Sequence, residues 1–196
     1  MTAPVKLNFK MYQGSTFSEV IRWESSTKAY APITGITKAA PMVVSSNAHG
    51  IPLGWRTKIT NVVGMKEVNS SDTYYTVTNT TLNSITFNAV NSLGYTDYTS
   101  GGVLEYNVPV DLTGYTARMQ LRAKLADTNT IDEYTTQNGK ILIDTAGYGI
   151  TILVDPITTA GYNFTTALYS LEVVSGAGAV TQLAAGTITL IKEVTR

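Results

Sequence analysis

Apolar and polar residues alternate with a period of two through much of this chain. Val5, Leu7, Phe9 and Met11 fall on one side of residues 5–12, and Lys6, Asn8, Lys10 and Tyr12 on the other. Ala117, Met119 and Leu121 alternate in the same way with Thr116, Arg118, Gln120 and Arg122. Successive side chains of a strand point to opposite faces, so each stretch predicts a strand with one face packed. Ahead of the second stretch, Asp111 can bond its own backbone two residues on, and Gly114 stands where a turn can require positive φ. Phe17, Ile21 and Trp23 mark a strand at 17–24, closed by Ser25-Ser26-Thr27-Lys28. Further strands are predicted at 42–46, 57–63, 74–78, 84–88, 102–106, 140–144, 149–154, 167–175 and 180–191. Turn chemistry separates them: Asn47-Ala48-His49-Gly50, Asn69-Ser70-Ser71-Asp72, Asn79-Thr80-Thr81, Ser100-Gly101-Gly102, Asn138-Gly139 and Gly176-Ala177-Gly178, the last a hairpin tip. One helix of at most two turns is predicted at 156–162, with Asp155 as its cap and Pro156 at its first position. Residues 126–137 read as a polar loop.

The pattern predicts an all-β protein in two parts. Residues 1–30 and 105–196 share one texture and read as a discontinuous β-sandwich. Residues 32–104 are dense in Thr, Asn, Ser and Gly, with short apolar runs. They read as a second β module, a small barrel or sandwich, inserted between the second and third strands of the first. Such an insertion costs little when the loop ends are close, because closure entropy grows slowly with length.

Composition narrows the chemistry. At 196 residues the chain can bury a sizeable core without staples. It has no cysteine, which excludes disulfides, thiolate metal sites and a cysteine nucleophile. Lys plus Arg and Asp plus Glu are equal at 14 each, so no basic stripe is set up for nucleic acid, and no nucleic-acid partner is expected. Zero net charge also does little to keep copies apart, which suits a protein that works assembled. No apolar run is long enough to cross a membrane, and no signal peptide is visible. Folding in a cytoplasm, with no membrane partner, is the expectation.

Reactive constellations are scarce. His49 is the single histidine. It lacks a nucleophile elbow of the G-x-S-x-G kind, and its place before Gly50 fits a turn residue bonding locally. Asp127, Asn129, Asp132 and Glu133 form an oxygen-rich loop without the spacing or the glycine of a calcium loop. Asp111, Asp144, Asp155 and Glu172 are scattered, and a glycosidase needs two carboxyl groups facing across a cleft. No catalytic, metal or cofactor-binding residue is assigned. Tyrosine is different: Tyr74, Tyr75, Tyr95, Tyr98 and Tyr106 gather in the insert, near Trp55. Such rings fill cores or form interfaces equally well, but of the neighbours Tyr74 and Tyr75 one must face outward in a strand. The candidate partner interface is therefore Val5, Leu7 and Phe9 on the first strand with Trp55, Tyr74, Tyr95 and Tyr98 on the insert. Residues 1–10 are a candidate arm for strand addition to a neighbour.

Three segments carry a resemblance: Tyr12-Gln13-Gly14-Ser15-Thr16-Phe17, Val110-Asp111-Leu112-Thr113-Gly114-Tyr115-Thr116-Ala117-Arg118-Met119, and Thr158-Thr159-Ala160 ahead of Leu168-Tyr169-Ser170-Leu171-Glu172-Val173. Together they resemble the immunoglobulin-like N-terminal domain of phage upper-baseplate proteins, over about half of the chain. The insert resembles the first catalytic-cysteine half-domain of ubiquitin-activating enzymes, a small β-barrel that recurs in phage structural proteins. Its carrying residues are Ala48-His49-Gly50-Ile51, Gly54, Val62-Val63-Gly64-Met65, Asn69, Tyr75-Thr76-Val77 and Tyr98-Thr99-Ser100-Gly101-Gly102. Without a cysteine that second resemblance implies fold only. The two imply a non-enzymatic structural protein of a tailed-phage virion, assembled in the host cytoplasm. It would act as a tail, baseplate or neck adaptor that anchors a fibre or spike, in symmetric copies among other phage structural proteins. The alternative is a carbohydrate- or host-receptor-binding module of a tail fibre, with the insert's aromatics stacking on glycan.

Overall fold

The computed structural model describes residues 4–194. The chain is all-β, with 50% strand and 4% helix. It divides into two compact units, one that runs up to Trp23 and resumes at Asp111, the other Glu24–Val110.

The first unit opens with β1 (Val5–Lys6), β2 (Phe9–Tyr12) and β3 (Phe17–Arg22). The second follows with β4 (Glu24–Pro32), β5 (Gly35–Ile36), β6 (Met42–Ser45), β7 (Arg56–Val63), a 3-10 turn at Lys66–Val68, β8 (Tyr75–Thr76), β9 (Asn79–Thr80), β10 (Ser84–Phe87) and β11 (Ser100–Pro109). The chain then completes the first unit with β12 (Thr116–Arg122), β13 (Asp132–Thr135), β14 (Ile141–Asp144), β15 (Gly149–Val154), α1 (Pro156–Ala160), β16 (Thr166–Val174) and β17 (Val180–Ile191).

In the first unit one sheet has the order β1-β17-β16-β12-β13, with β2 also on β17, and a second sheet has the order β14-β15-β3. Alternation puts Ala117, Met119 and Leu121 of β12 and Ala167, Tyr169, Leu171 and Val173 of β16 on the buried side. They share one core with Met11, Phe17, Tyr134, Ile150, Ile152 and Ile188. β1 and β2 run parallel to the last strand, Val5 opposite Ala184 and Phe9 opposite Ile188. The alternation of residues 5–12 predicts one unbroken strand, but the chain jogs at Leu7 and Asn8. A Cβ on Gly186 would lie 1.8 Å from the Leu7 carbonyl oxygen, so only glycine permits the crossing. Asn8 Oδ1 accepts from the Thr187 backbone N–H and hydroxyl, each at 3.1 Å, and replaces the lost ladder contact.

Around β12 the local chemistry is as the residues imply. Asp111 Oδ1 accepts from the Thr113 N–H at 2.9 Å, and Gly114 has φ +75°. Asp155 caps α1 through the Thr158 N–H at 2.8 Å.

The second unit contains sheets of order β5-β6-β10-β9 and β4-β11-β7-β8. Met42, Val44, Trp55, Ile59, Met65, Val77, Ile85, Phe87 and Leu104 are buried in it.

Four predicted details are corrected. Ser25-Ser26-Thr27-Lys28 is strand, because β4 zips antiparallel onto the long β11, Lys28 opposite Asn107 and Ala31 opposite Leu104. This pairing also puts residues 24–30 and 105–110 in the second unit rather than the first. Asn79-Thr80 pairs with β10, and Gly101-Gly102 lies inside β11 with φ +71° and +92°. The polar loop at 126–137 contains β13, whose Tyr134 is fully buried.

Candidate interaction surfaces

The polar residues with chemical potential are engaged internally. His49 Nδ1 accepts the Ile51 N–H at 3.0 Å, and Nε2 lies 3.3 Å from the Ser84 carbonyl oxygen. A carbonyl can only accept, so Nε2 carries the proton and Nδ1 is committed to backbone. This histidine shapes a turn. Asp127 Oδ2 accepts from the Lys124 N–H at 3.0 Å, while Asp132 Oδ2 pairs with Lys140 Nζ at 2.6 Å. Glu172 is paired with Arg118 at 2.8 Å. Asp144 Oδ1 accepts from the N–H groups of Ala146 and Gly147, at 3.0 and 2.9 Å. Among the described residues no group of three or more His, Asp or Glu side chains could hold a metal ion. Among the described residues no helix is long and apolar enough to cross a membrane.

A polar network lies in the first unit. Tyr162 donates to Asp132 Oδ2, and the Tyr134 and Tyr162 hydroxyls are 2.9 Å apart. A carboxylate only accepts, so the chain runs Tyr134 O–H to Tyr162, then Tyr162 O–H to Asp132. Lys140 Nζ sits 5.3 Å from the Tyr134 ring centroid. Burial is the main cause that pushes both phenols well above the ordinary tyrosine value, and for Tyr162 the hydrogen bond to Asp132 adds to it. Phenols so disfavoured as phenolates make poor bases, and the cluster ties β13 to the segment after α1. Pattern reading missed it because residues 126–137 carry no apolar period.

The predicted interface residues disperse. Trp55 is 0% exposed, and its indole N–H donates to the Asn107 carbonyl at 2.7 Å. It is a core residue of the second unit and offers no surface, which corrects its place in the predicted interface. The residue follows a turn, where strand alternation gives no facing. Phe9 stacks on Tyr169 at 5.4 Å and meets Phe17 edge-on at 5.9 Å, and Leu7 packs on the same core. Residues 5–12 are thus held by the chain's own β17, and only Val5 of the three apolar candidates is exposed. Residues 1–3 of the predicted arm lie outside the described residues. Tyr98 is half-buried and donates to the carbonyls of Ile33 and Gly101, at 3.2 and 3.0 Å. Tyr95 is half-buried too. Tyr74, just ahead of β8, is exposed, whereas Tyr75 turns inward and donates to the Val68 carbonyl at 3.1 Å.

Three surfaces remain. The first is the outward face of the sheet β14-β15-β3. Leu142 lies opposite Thr151, and Thr151 opposite Val20, with Leu153 two residues along the middle strand. Val20 (47% exposed), Leu142 (48%) and Leu153 (37%) thus form an apolar triangle on a sheet face. Neither pattern nor composition marks it, since apolar residues in a strand normally signal the packed side.

The second surface is the outer face of β4-β11-β7. Tyr30, Glu105 and Lys58 stand opposite one another across three strands. Glu105 pairs with Lys28, and Glu24 holds Arg56 through two 2.7 Å bonds. Arg56 and Lys58 each lie 4.8 Å from the Tyr74 ring centroid. Both carboxylates are thus paired, Lys58 Nζ donates to the Ser71 carbonyl at 2.6 Å, and Tyr30 and Tyr74 are left as exposed rings at the flanks of this face.

The third is a pair of turns in the second unit, 46–54 and 81–84. They are tied together by Ala48 N–H to Asn83 Oδ1 at 3.0 Å, Ser46 N–H to the Asn83 carbonyl at 3.0 Å, and Thr80 Oγ1 to the Ile51 carbonyl at 3.2 Å. Tyr106 donates to the His49 carbonyl at 2.8 Å. Leu53 and Leu82 project from these turns.

No protein-family model and no curated protein sequence matches this chain.

Proposed function

We propose that the chain is a non-enzymatic structural protein of a tailed-phage virion, an adaptor at the tail, baseplate or neck that anchors a fibre or spike. The observation that carries this reading is the apolar triangle Val20–Leu142–Leu153 on the outward face of a sheet. A sheet face that is meant for water presents polar side chains, and exposed apolar groups gathered on one face suit a surface that is covered on assembly.

The strand order supports an immunoglobulin-like reading of the first unit. With β1 and β2 taken as one broken strand, the sheets become first-eighth-seventh-third-fourth and fifth-sixth-second. The third, fourth, seventh and eighth strands then correspond to C, C′, F and G of an immunoglobulin sandwich, and the second, sixth and fifth to B, E and D. The insert falls between B and C, and its two small sheets suit a compact barrel. The segments that carry the resemblance also meet one another. Gln13 Nε2 donates to the carbonyls of Ala160 and Tyr162, at 3.2 and 2.9 Å, and Thr159 Oγ1 donates to the Ser15 carbonyl at 2.8 Å.

Particles purified from the phage that encodes this chain are expected to contain it in fixed stoichiometry by quantitative mass spectrometry. A chain carrying Val20→Glu and Leu142→Glu is expected to stay folded but to be missing from the particles. Absence of the wild-type chain from purified particles would falsify the reading.

The second reading, a glycan-binding module, is favoured by the exposed rings of Tyr30 and Tyr74 in the second unit, where Trp55 is buried. On a glycan array it requires binding that Tyr30→Ala with Tyr74→Ala abolishes. No binding at millimolar sugar removes it.

A further inference from the structure

We propose that the leucine-bearing turns 46–54 and 81–84 are a self-association surface, and that the occupant is the same surface of a second copy of this chain. This deepens the adaptor reading by naming what joins copies.

The first ground is charge. Residues 39–55 and 73–96 contain no Asp, Glu, Lys or Arg. The one titratable base among them, His49, is buried and bonded to backbone on both ring nitrogens. In an isologous interface each residue near the two-fold axis meets its own image. A charged patch would there face like charge, whereas a charge-free patch is complementary to itself. Zero net charge on the whole chain removes long-range repulsion as well.

The second ground is the kind of polar group present. Asn47 is exposed on the first turn, while the Thr81 hydroxyl is bonded within its own turn, to Ser84 Oγ at 2.8 Å and to the Asn83 N–H at 3.3 Å. An amide both donates and accepts, so it can bond its own image, which neither ammonium nor carboxylate can do. Against a strongly charged partner the same groups would leave ions without counter-ions, at a desolvation cost. An anionic bilayer would require basic residues on the turns themselves, and residues 39–55 and 73–96 hold none.

The third ground is that the apolar contact is ready-made. Leu53 is 52% exposed and Leu82 74% exposed, on turns locked by the side-chain and backbone bonds described above. Gly50 and Gly54, with φ +67° and +74°, fix the first turn, and its backbone continues into the Gly54 N–H bond to the Val77 carbonyl at 2.8 Å. Little conformational entropy remains to be lost on docking, so a small contact suffices for weak association.

Sedimentation velocity of the full chain over about 1–300 µM tests this. The chain is expected to show a monomer–dimer equilibrium in the micromolar range or weaker, as small interfaces give. The constant is expected to change less than about threefold between 0.05 and 1 M salt, since no ions are paired or released. Leu53→Glu with Leu82→Glu is expected to be monomeric throughout, and the milder Leu53→Ser with Leu82→Ser to weaken association at least tenfold, both with unchanged circular dichroism. Val20→Glu with Leu142→Glu is expected to dimerise like wild type. A wild-type chain that stays monomeric, or a dimer that survives both leucine variants, overturns the proposal. So does a dimer lost only in the Val20 and Leu142 variant, which would move association to the first unit. None of these outcomes bears on whether the chain is found in purified particles, so the adaptor reading stands or falls separately.

Discussion

At the scale of single residues the tyrosine network of the first unit shows what sequence cannot price. Tyr134 is fully buried, and its hydroxyl bonds the Tyr162 hydroxyl. Tyr162→Phe therefore strands a buried donor and is expected to cost about 1–3 kcal/mol in urea denaturation, against about 0.5–1.5 kcal/mol for Tyr134→Phe, which leaves Tyr162 bonded to Asp132. Equal losses would mean that the hydroxyl chain does not run in the direction assigned. The same burial acts at high pH. Tyr134, Tyr162 and Tyr169 all have phenols raised above the ordinary 10.0, and burial pushes Tyr169 up to about 12. A raised value means that folding stability is intact below pH 10 and is lost as the pH climbs through the folded-state values, because only the unfolded chain ionises freely there. Denaturation midpoints from pH 8 to 12, read beside phenolate absorbance, should be level and then fall. Tyr169→Phe should flatten that fall. Thr57 is the opposite case: its hydroxyl is buried without a hydrogen-bond partner on β7. Thr57→Val keeps the shape and removes the orphan, so a gain of up to about 1 kcal/mol is expected. A loss would reveal a partner for that hydroxyl.

Among elements, the break between β1 and β2 is the point where one residue governs a strand pairing. With a Cβ at position 186 only 1.8 Å from the Leu7 carbonyl, Gly186→Ala must push the first strand off β17. A cost of about 1–3 kcal/mol is expected, with faster amide exchange in residues 5–12 as the local signature. Unchanged exchange there would mean that β17 yields instead. β3 shows a second device. It is an edge strand, and Glu19, opposite the fully buried Ile152, stands on its core-facing side between Phe17 and Ile21. A charge pointing inward on an edge strand discourages pairing with another chain. This is a reason to look for self-association on the charge-free turns rather than on that edge. Edge strands also explain the elements that pattern reading misplaced. β4 is polar over its first five residues and closes on Ala29-Tyr30-Ala31-Pro32, and β13 has a single apolar ring, so neither shows a period of two. Both exist because a long neighbour, β11 or β12, offers unpaired backbone groups along its length.

For the whole molecule, the two units each carry a core of their own, and the first unit's ends at the insertion are held close. Trp23 and Tyr115 pack edge-to-face with ring centroids 6.0 Å apart. A short linker spans that gap at small entropic cost. Replacing residues 24–110 by about six Gly/Ser residues is therefore expected to leave a chain that melts cooperatively and keeps the near-ultraviolet signal of its buried tyrosines. A chain without a cooperative melt would show that the first unit depends on the insert. The legible part of this protein was what repeats locally. A period of two dictates strands at 116–122, 149–154 and 180–191, because alternate side chains must reach opposite faces. Asp111, Gly114 and Asp155 disclose their turns and cap, because these depend on bonds within three residues. Absence of cysteine excludes disulfides and thiolate chemistry by composition. Tertiary structure alone decided facing and partnership. Trp55 turned inward while Leu53, two residues away, turned out. Val20 came together with Leu142 and Leu153 because β3 pairs with the β14-β15 hairpin from far upstream in the chain. Asp132 found Tyr162 across a loop with no pattern. Each of these depends on which distant backbone lies alongside, and the hydrophobic effect, being non-directional, writes no trace of that pairing into the local sequence.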